Sequence, residues 1–557
     1  MLTRRDMLRL LGASGLALGG AGCSNAGAGG RESTPVADLY PIDGPRAIGD
    51  AMVSGSIGEA STFIWFLGGE SASSAASAAI SNSLLRYNDR IELEREVAES
   101  VEVTPDGETI TFRMRRDVRW TDGHPCTADD VLFTYEALVD PATPTPYSGD
   151  YLLVRKAEVL DPYTFRVHYD KPFAPALESW AFCRFIPAHL LRGKDLPRDP
   201  YNRNPVGTGP YMLRRPEDWV PGQQMTLWRN PDYWEGTVWI ERQVTRIIPD
   251  LNTQFLELKT GGIDAMGLTP PQFRFQTGTR EFVSHFEKYR YLSSGYTFLG
   301  FNLRDPRFQD RRVRQAFAYA IDKDEIIRGV YLGYGKPLSA PTRPDHWTYN
   351  PNVRTYPYDP ARALELFAEV GWKRDANGRL VKDGKPFRFE IITNQGNQQR
   401  IRTAEIIQRR LAEIGIEVSV RPIEWAAFIN EFVDKGRFEA LILGWNMAPD
   451  PDQFIIWHSS QTGPKQFNFV HFKNPEVDRL LEEGRSTFDR EKRKAIYWRF
   501  QEVMAEEQPY VFLCVPEALF AIHKRFKGIV PAPSGVGYLS HLRWFVPPPY
   551  QKWTRTA

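Results

Sequence analysis

Residues 112–131 read FRMRRDVRWTDGHPCTADDV. With Ile110 and Thr111 in front, the segment through Arg115 alternates apolar and polar side chains, the period-two signature of a half-buried strand. Asp122-Gly123 is a turn signal. Thr127 and Asp130 then stand at the spacing of a capping box, in which a hydroxyl and a carboxylate three residues later satisfy the first free amides of a helix. The run Val131 to Leu138 supplies that helix. Strand, turn and helix in some thirty residues predict a mixed α/β chain.

The pattern holds outward from there. Residues 204–211, NPVGTGPY, make a glycine-rich turn that leads into the alternating Tyr211 to Arg214. No GK[ST] follows, so it is not a phosphate-binding loop. Asp359-Pro360 places a cap and a first-turn proline before Ala361, Ala363, Leu364, Phe367 and Val370, and Gly371 ends that helix. Residues 402–415 predict a second amphipathic helix, with Ile406, Ile407, Leu411 and Ile414 on one side, and 416–423 a strand. No fixed-period repeat interrupts this grammar.

The N-terminus predicts export. Basic residues precede an apolar run from Leu10 to Leu18, too short to cross roughly 30 Å of hydrocarbon. Arg4-Arg5 resembles a twin-arginine signal, with an ordinary secretory signal as the alternative. Cys23 follows Gly19-Gly20-Ala21-Gly22 and resembles the lipidated cysteine of bacterial lipoproteins. Ala21 and Gly22 fit that pattern and Gly20 departs from it, so a plain signal with an incidental cysteine is the alternative. Residues 24–35, SNAGAGGRESTP, predict a flexible tether.

Composition removes several classes. Lys+Arg number 70 against 69 Asp+Glu, which leaves no basic excess for nucleic acid. Cys126, Cys183 and Cys514 form no CxxC and imply neither a disulfide framework nor a zinc site. The sequence contains no GxSxG and no HExxH, and the nine histidines are scattered, so a secreted hydrolase is disfavoured. A mature chain of over 500 residues predicts two or three subdomains. The 33 Phe, 23 Tyr and 15 Trp exceed what cores alone demand and suit a stacking pocket.

The chain resembles the bacterial extracellular solute-binding proteins of family 5, the oligopeptide and dipeptide receptors of ABC importers. The resemblance rests on 112–131, on 204–211, on RNPDYW at 229–234, FNLR at 301–304 and VRQAFAYAID at 313–322. EIGI at 413–416, Gly444-Trp445 with Asp450-Pro451-Asp452, and NPEVD at 474–478 continue it in order. It implies a type II periplasmic-binding-protein fold: two lobes, a hinge and an extra subdomain on the first lobe. The expected boundaries are 1–22 signal, 23–36 tether, 37–78 first lobe, 79–162 extra subdomain and 163–301 first lobe again. The second lobe follows at 302–510, with a C-terminal return to the first at 511–557.

The resemblance also implies a periplasmic or extracytoplasmic monomer that passes a peptide or small-molecule ligand to ABC importer permease subunits. It is expected to be membrane-anchored through Cys23 and to use neither cofactor nor metal. Trp425 and Trp445 match aromatic residues that line the cleft of such receptors. The acid that binds a peptide's ammonium in these receptors falls, here, at Asn446, Met447 or Ala448. Either Asp450 or Glu59 takes its place, or the ligand has no free α-ammonium. The expectation is therefore aromatic packing with little charge recognition. Asn446 and His458 are further candidate polar contacts. Arg314 and Asp322 are read as a structural ion pair, and Asp122-Gly123, Thr127, Gly207 and Gly209 as turn and cap residues. Another solute on the same frame (an oligosaccharide, an opine or a metal chelate) and an anchored sensor or chaperone remain as alternatives.

Overall fold

The strand predicted around residue 112 forms as Thr109–Met114, and the helix after it as Ala128–Val139. The computed structural model describes residues 39–41, 44–533, 535–537 and 539–553. The signal, tether and Cys23 lie outside them. The predicted capping box of Thr127 and Asp130 is present. The carboxylate of Asp130 accepts the backbone N–H of Thr127 at 2.9 Å, and also the indole N–H of Trp120 and the N–H of Ala188. Asp130 thus ties strand, helix and the following loop together, a structural role for the quoted motif.

Thr109–Met114 sits in a four-stranded antiparallel sheet with Ala98–Val103, Val154–Asp161 and Thr164–Tyr169. Its apolar core runs from Ile64 to Tyr201 in sequence. The hairpin joining the last two strands passes through residues 162–163, where a boundary had been expected. The pairing instead keeps both strands in one unit.

Two larger sheets share a single long strand, Tyr510–His523. Its first part pairs with Gly295–Phe301, which continues to Ala440–Asn446, Arg388–Asn394 and Glu417–Ile423. Its second part pairs with Ala265–Gly267 and Phe286–Leu292, beside Gly49–Ser56, Ile240–Ile247 and Gln224–Arg229. The apolar cores divide the same way. Two clusters contain only residues between 292 and 515, and three others draw on residues 51–286 and on those from 519 onward. The chain passes between the sheets at residues 293–294 and inside the long strand, which makes two lobes and two connections.

The helix expected at 402–415 begins earlier, as Gln398–Glu413, because the Asn397 side chain accepts the Arg400 N–H and caps it. Asp359 and Pro360 start Pro360–Glu369 as predicted. Gly207 is required by contact: a Cβ there would lie 1.9 Å from the carbonyl oxygen of Ile80. Arg314 and Asp322 do not pair with each other. Arg314 binds Glu507 and the carbonyls of Phe308 and Gln309, while Asp322 caps the helix Lys323–Gly329. Both are structural, by separate routes. No helix among the described residues is long and apolar enough to cross a membrane.

Candidate ligand-binding cleft

The strand Ala440–Asn446 ends at the gap between the lobes, and it ends on Gly444, Trp445 and Asn446. Gly444 has no alternative: a Cβ would lie 2.8 Å from the carbonyl oxygen of Tyr296 on the neighbouring strand. Trp445 lies against Phe469, with ring centroids 5.6 Å apart, and meets the edge of Phe467. Its indole N–H reaches the Tyr510 hydroxyl at 3.4 Å. Trp425 opens a short helix whose first amides are held by both carboxylate oxygens of Glu424, each at 3.0 Å. This cap explains why Glu precedes Trp: it fixes the turn that aims the indole at Gly58 of the other lobe.

Trp425, Gly444, Trp445 and Asn446 line a cavity of about 940 Å3. Trp65, Tyr147 and Glu178 close it from one side, and Arg400, Trp425 and Trp445 from the other. A second cavity, about 1050 Å3, shares Glu178 and residues 447–450 with it. Each is at or near the upper end of ordinary ligand pockets. The lobes touch around this space. Arg485 pairs with Asp452 beside it and with Asp150 across the cleft, and lies over the ring of Phe454. Tyr147 meets Phe467 edge-on at 5.4 Å.

Four of the residues singled out in the sequence, Trp425, Trp445, Asn446 and Asp450, line the same cavity. Asp450 does so with its charge already matched. Both its oxygens receive Arg493 at 2.6 Å, and Oδ1 also caps the turn through the Asp452 N–H. That occupies the anionic capacity of Asp450 and leaves little for a ligand ammonium. Glu59 is not among the lining residues. Its carboxylate accepts the Trp219 indole N–H at 2.6 Å and the Gly222 N–H at 3.0 Å. His458 is also outside the lining, stacked on Phe454 at 4.0 Å and bonded to Ser460.

Sequence reasoning missed Glu178, Arg184, Arg400 and Asp434, all of which line the cavity. Arg400 donates to Asn394 at 2.8 Å and has no carboxylate partner among the described residues. Desolvation lowers its pKa to about 10, so it stays cationic at neutral pH. Burial raises the Asp434 carboxyl, and nearby Lys465 opposes that shift. None of the four belongs to a recognisable motif, and nothing in their local sequence signals the cavity.

A family model described as bacterial extracellular solute-binding proteins, family 5, middle, matches residues 92–466. The oligopeptide-binding protein AppA of Bacillus subtilis is 31% identical over 496 residues, covering 87% of this chain and 89% of that one. The chain belongs to family 5 of the bacterial extracellular solute-binding proteins. The fold agrees with other family 5 receptors of known structure. The structure of Bacillus subtilis AppA with a nonapeptide superposes at a TM-score of 0.85 and 29% identity, over 90% of this chain and all of that one. NikZ of Campylobacter jejuni, in complex with Ni(L-His), gives 0.81 at 28% identity, over 89% of this chain and 99% of that one. DppA of Helicobacter pylori, in complex with the peptide STSA, gives 0.80 at 26% identity, over 91% of this chain and 99% of that one. The two-lobed α/β frame is therefore that of a family 5 solute-binding protein.

Proposed function

We propose that this protein captures an oligopeptide between its lobes, outside the cytoplasm, and delivers it to the permease of an ABC importer. The carrying observation is the interlobe cavity with Trp425 and Trp445 on one wall and Trp65 and Tyr147 on the other. Aromatic faces supply apolar area without demanding one side-chain chemistry, which suits varied peptide sequences. The nonapeptide held by AppA and the STSA held by DppA support the same ligand class. The binding of Ni(L-His) by NikZ supports a second reading, a different solute on this frame. Native mass spectrometry of the protein purified from its expression host separates the two. Retained peptide masses are expected, and a retained metal complex or sugar would favour the second.

In this reading the lobes divide at residues 293–294 and within 515–517, where the paired strands change sheet, rather than at 302 and 511. Ligand binding works by hinge closure. A cognate peptide is expected to decrease the radius of gyration in solution scattering. It should also stabilise the fold by about 2.7 kcal/mol at a concentration 100 times Kd. A ligand that binds with an unchanged scattering curve would refute the hinge.

Export and tethering complete the proposal, with Arg4-Arg5 directing export and lipidated Cys23 anchoring a monomeric receptor. Changing both arginines to lysine is expected to leave precursor in the cytoplasm. Cys23→Ala is expected to move mature protein from the membrane to the soluble fraction. Unchanged membrane fractionation of that variant would remove the anchor.

A further inference from the structure

Glu178 belongs to the short helix Ala176–Phe182 and is 7% exposed, yet it lines both cavities. One carboxylate oxygen accepts the backbone N–H of Asp450 at 3.2 Å, across the cleft. The other, Oε2, is buried and accepts no hydrogen bond from the described residues. The two guanidinium groups that hold the neighbouring acids are committed to those acids. Arg493 is held in a two-point pair by Asp450, and Arg485 lies between Asp452 and Asp150. The centre of the cleft therefore gathers four carboxylates around two guanidinium groups. A buried carboxylate oxygen without a donor is costly, because desolvation is repaid only by a partner charge or hydrogen bonds.

We infer that Glu178 is the anchor for a cationic group of the ligand, an ammonium or guanidinium that completes the unbonded Oε2. The inference rests on the peptide reading above and names the group recognised. It places the anchor on the opposite side of the cleft from the Gly444-Trp445 segment, where the sequence comparison looks for it. It also reverses the expectation of little charge recognition. Asp434, another acid on the cavity wall, is the weaker rival because it is less buried and lies near Lys465. Asp450 is excluded by Arg493. The backbone bond from Asp450 to Oε1 holds the carboxylate in place, so the ligand need not order it. A charge-assisted bond to such a fixed, desolvated group is among the stronger polar contacts available.

The test uses the full mature protein and two pools of nonapeptides that lack Lys, Arg and His, one with free N-termini and one N-acetylated. Binding is followed by calorimetry for the wild type, Glu178→Gln and Asp434→Asn. The wild type is expected to prefer the free pool, and Glu178→Gln to weaken that pool at least about tenfold while leaving the acetylated pool unchanged. Asp434→Asn is expected to leave the preference intact. Without ligand, Glu178→Gln should melt no lower than the wild type, since Oε2 has no partner among the described residues to lose. A lower melting temperature, equal effects on both pools, or no effect on either would overturn the anchor while leaving peptide binding in place. Failure of the wild type to bind either pool would overturn the peptide reading, and the anchor with it.

Discussion

Trp445→Ala is expected to weaken ligand binding by two decades or more. The indole stands at the end of the strand Ala440–Asn446 and faces the cavity while resting on Phe469 and Phe467. Removing a buried aromatic contact typically costs about 3–5 kcal/mol, and each 1.4 kcal/mol is tenfold in affinity. The loss falls mainly on binding, because Gly444, Tyr296 and the strand pairing hold the backbone without the indole. Trp445→Phe retains an aromatic face and is expected to recover much of the affinity. Calorimetry with a bound peptide identified by mass spectrometry measures both variants. A dissociation constant within about threefold of the wild type for Trp445→Ala would show that this wall of the cavity does not carry the ligand.

Arg525→Ala is expected to cost about 3–5 kcal/mol of stability, the usual penalty for stranding buried charges. Arg525 is 2% exposed and pairs with Asp50 and Asp264, both fully buried. It also donates to the carbonyl of Ala51 at 3.0 Å. These partners lie far apart in sequence, on strand Gly49–Ser56 and just before strand Ala265–Gly267, so one guanidinium fastens the C-terminal return to the first lobe. Denaturant unfolding is the direct measurement. The double variant Arg525→Met with Asp264→Asn is expected to lose less than the sum of the two single changes, since the members act as one network. A loss below about 1 kcal/mol for Arg525→Ala would mean that the network contributes little.

Much of the fold is legible in local chemistry. The alternation before Asp122-Gly123 predicts its strand, and the Asp359-Pro360 cap predicts its helix. Local signals fail where the deciding partner is distant. The helix at 398 starts before its apolar stripe because the Asn397 cap is made by one side chain and does not alter the stripe. The boundary expected near residue 162 fails because pairing between Val154–Asp161 and Thr164–Tyr169 is a cooperative property of the four-stranded sheet.

The cavity wall divides in the same way. Trp425, Trp445 and Asn446 are reached through the family resemblance of their short segments, and all three line one cavity. The charge state of the cleft does not follow from any segment. Asp450 looks free in the sequence and is neutralised by Arg493, 43 residues on. Glu59 looks available and is taken by Trp219 from 160 residues away. Glu178, in an unremarked helix, is left with a buried Oε2 that has no donor among the described residues. The sequence by itself determined the α/β grammar and most of the caps and turns, because those depend on neighbours within about one turn or one strand pair. Only the tertiary structure decided which acid in the cleft keeps an unbonded buried oxygen, because that depends on which donors packing brings to each acid from distant parts of the chain.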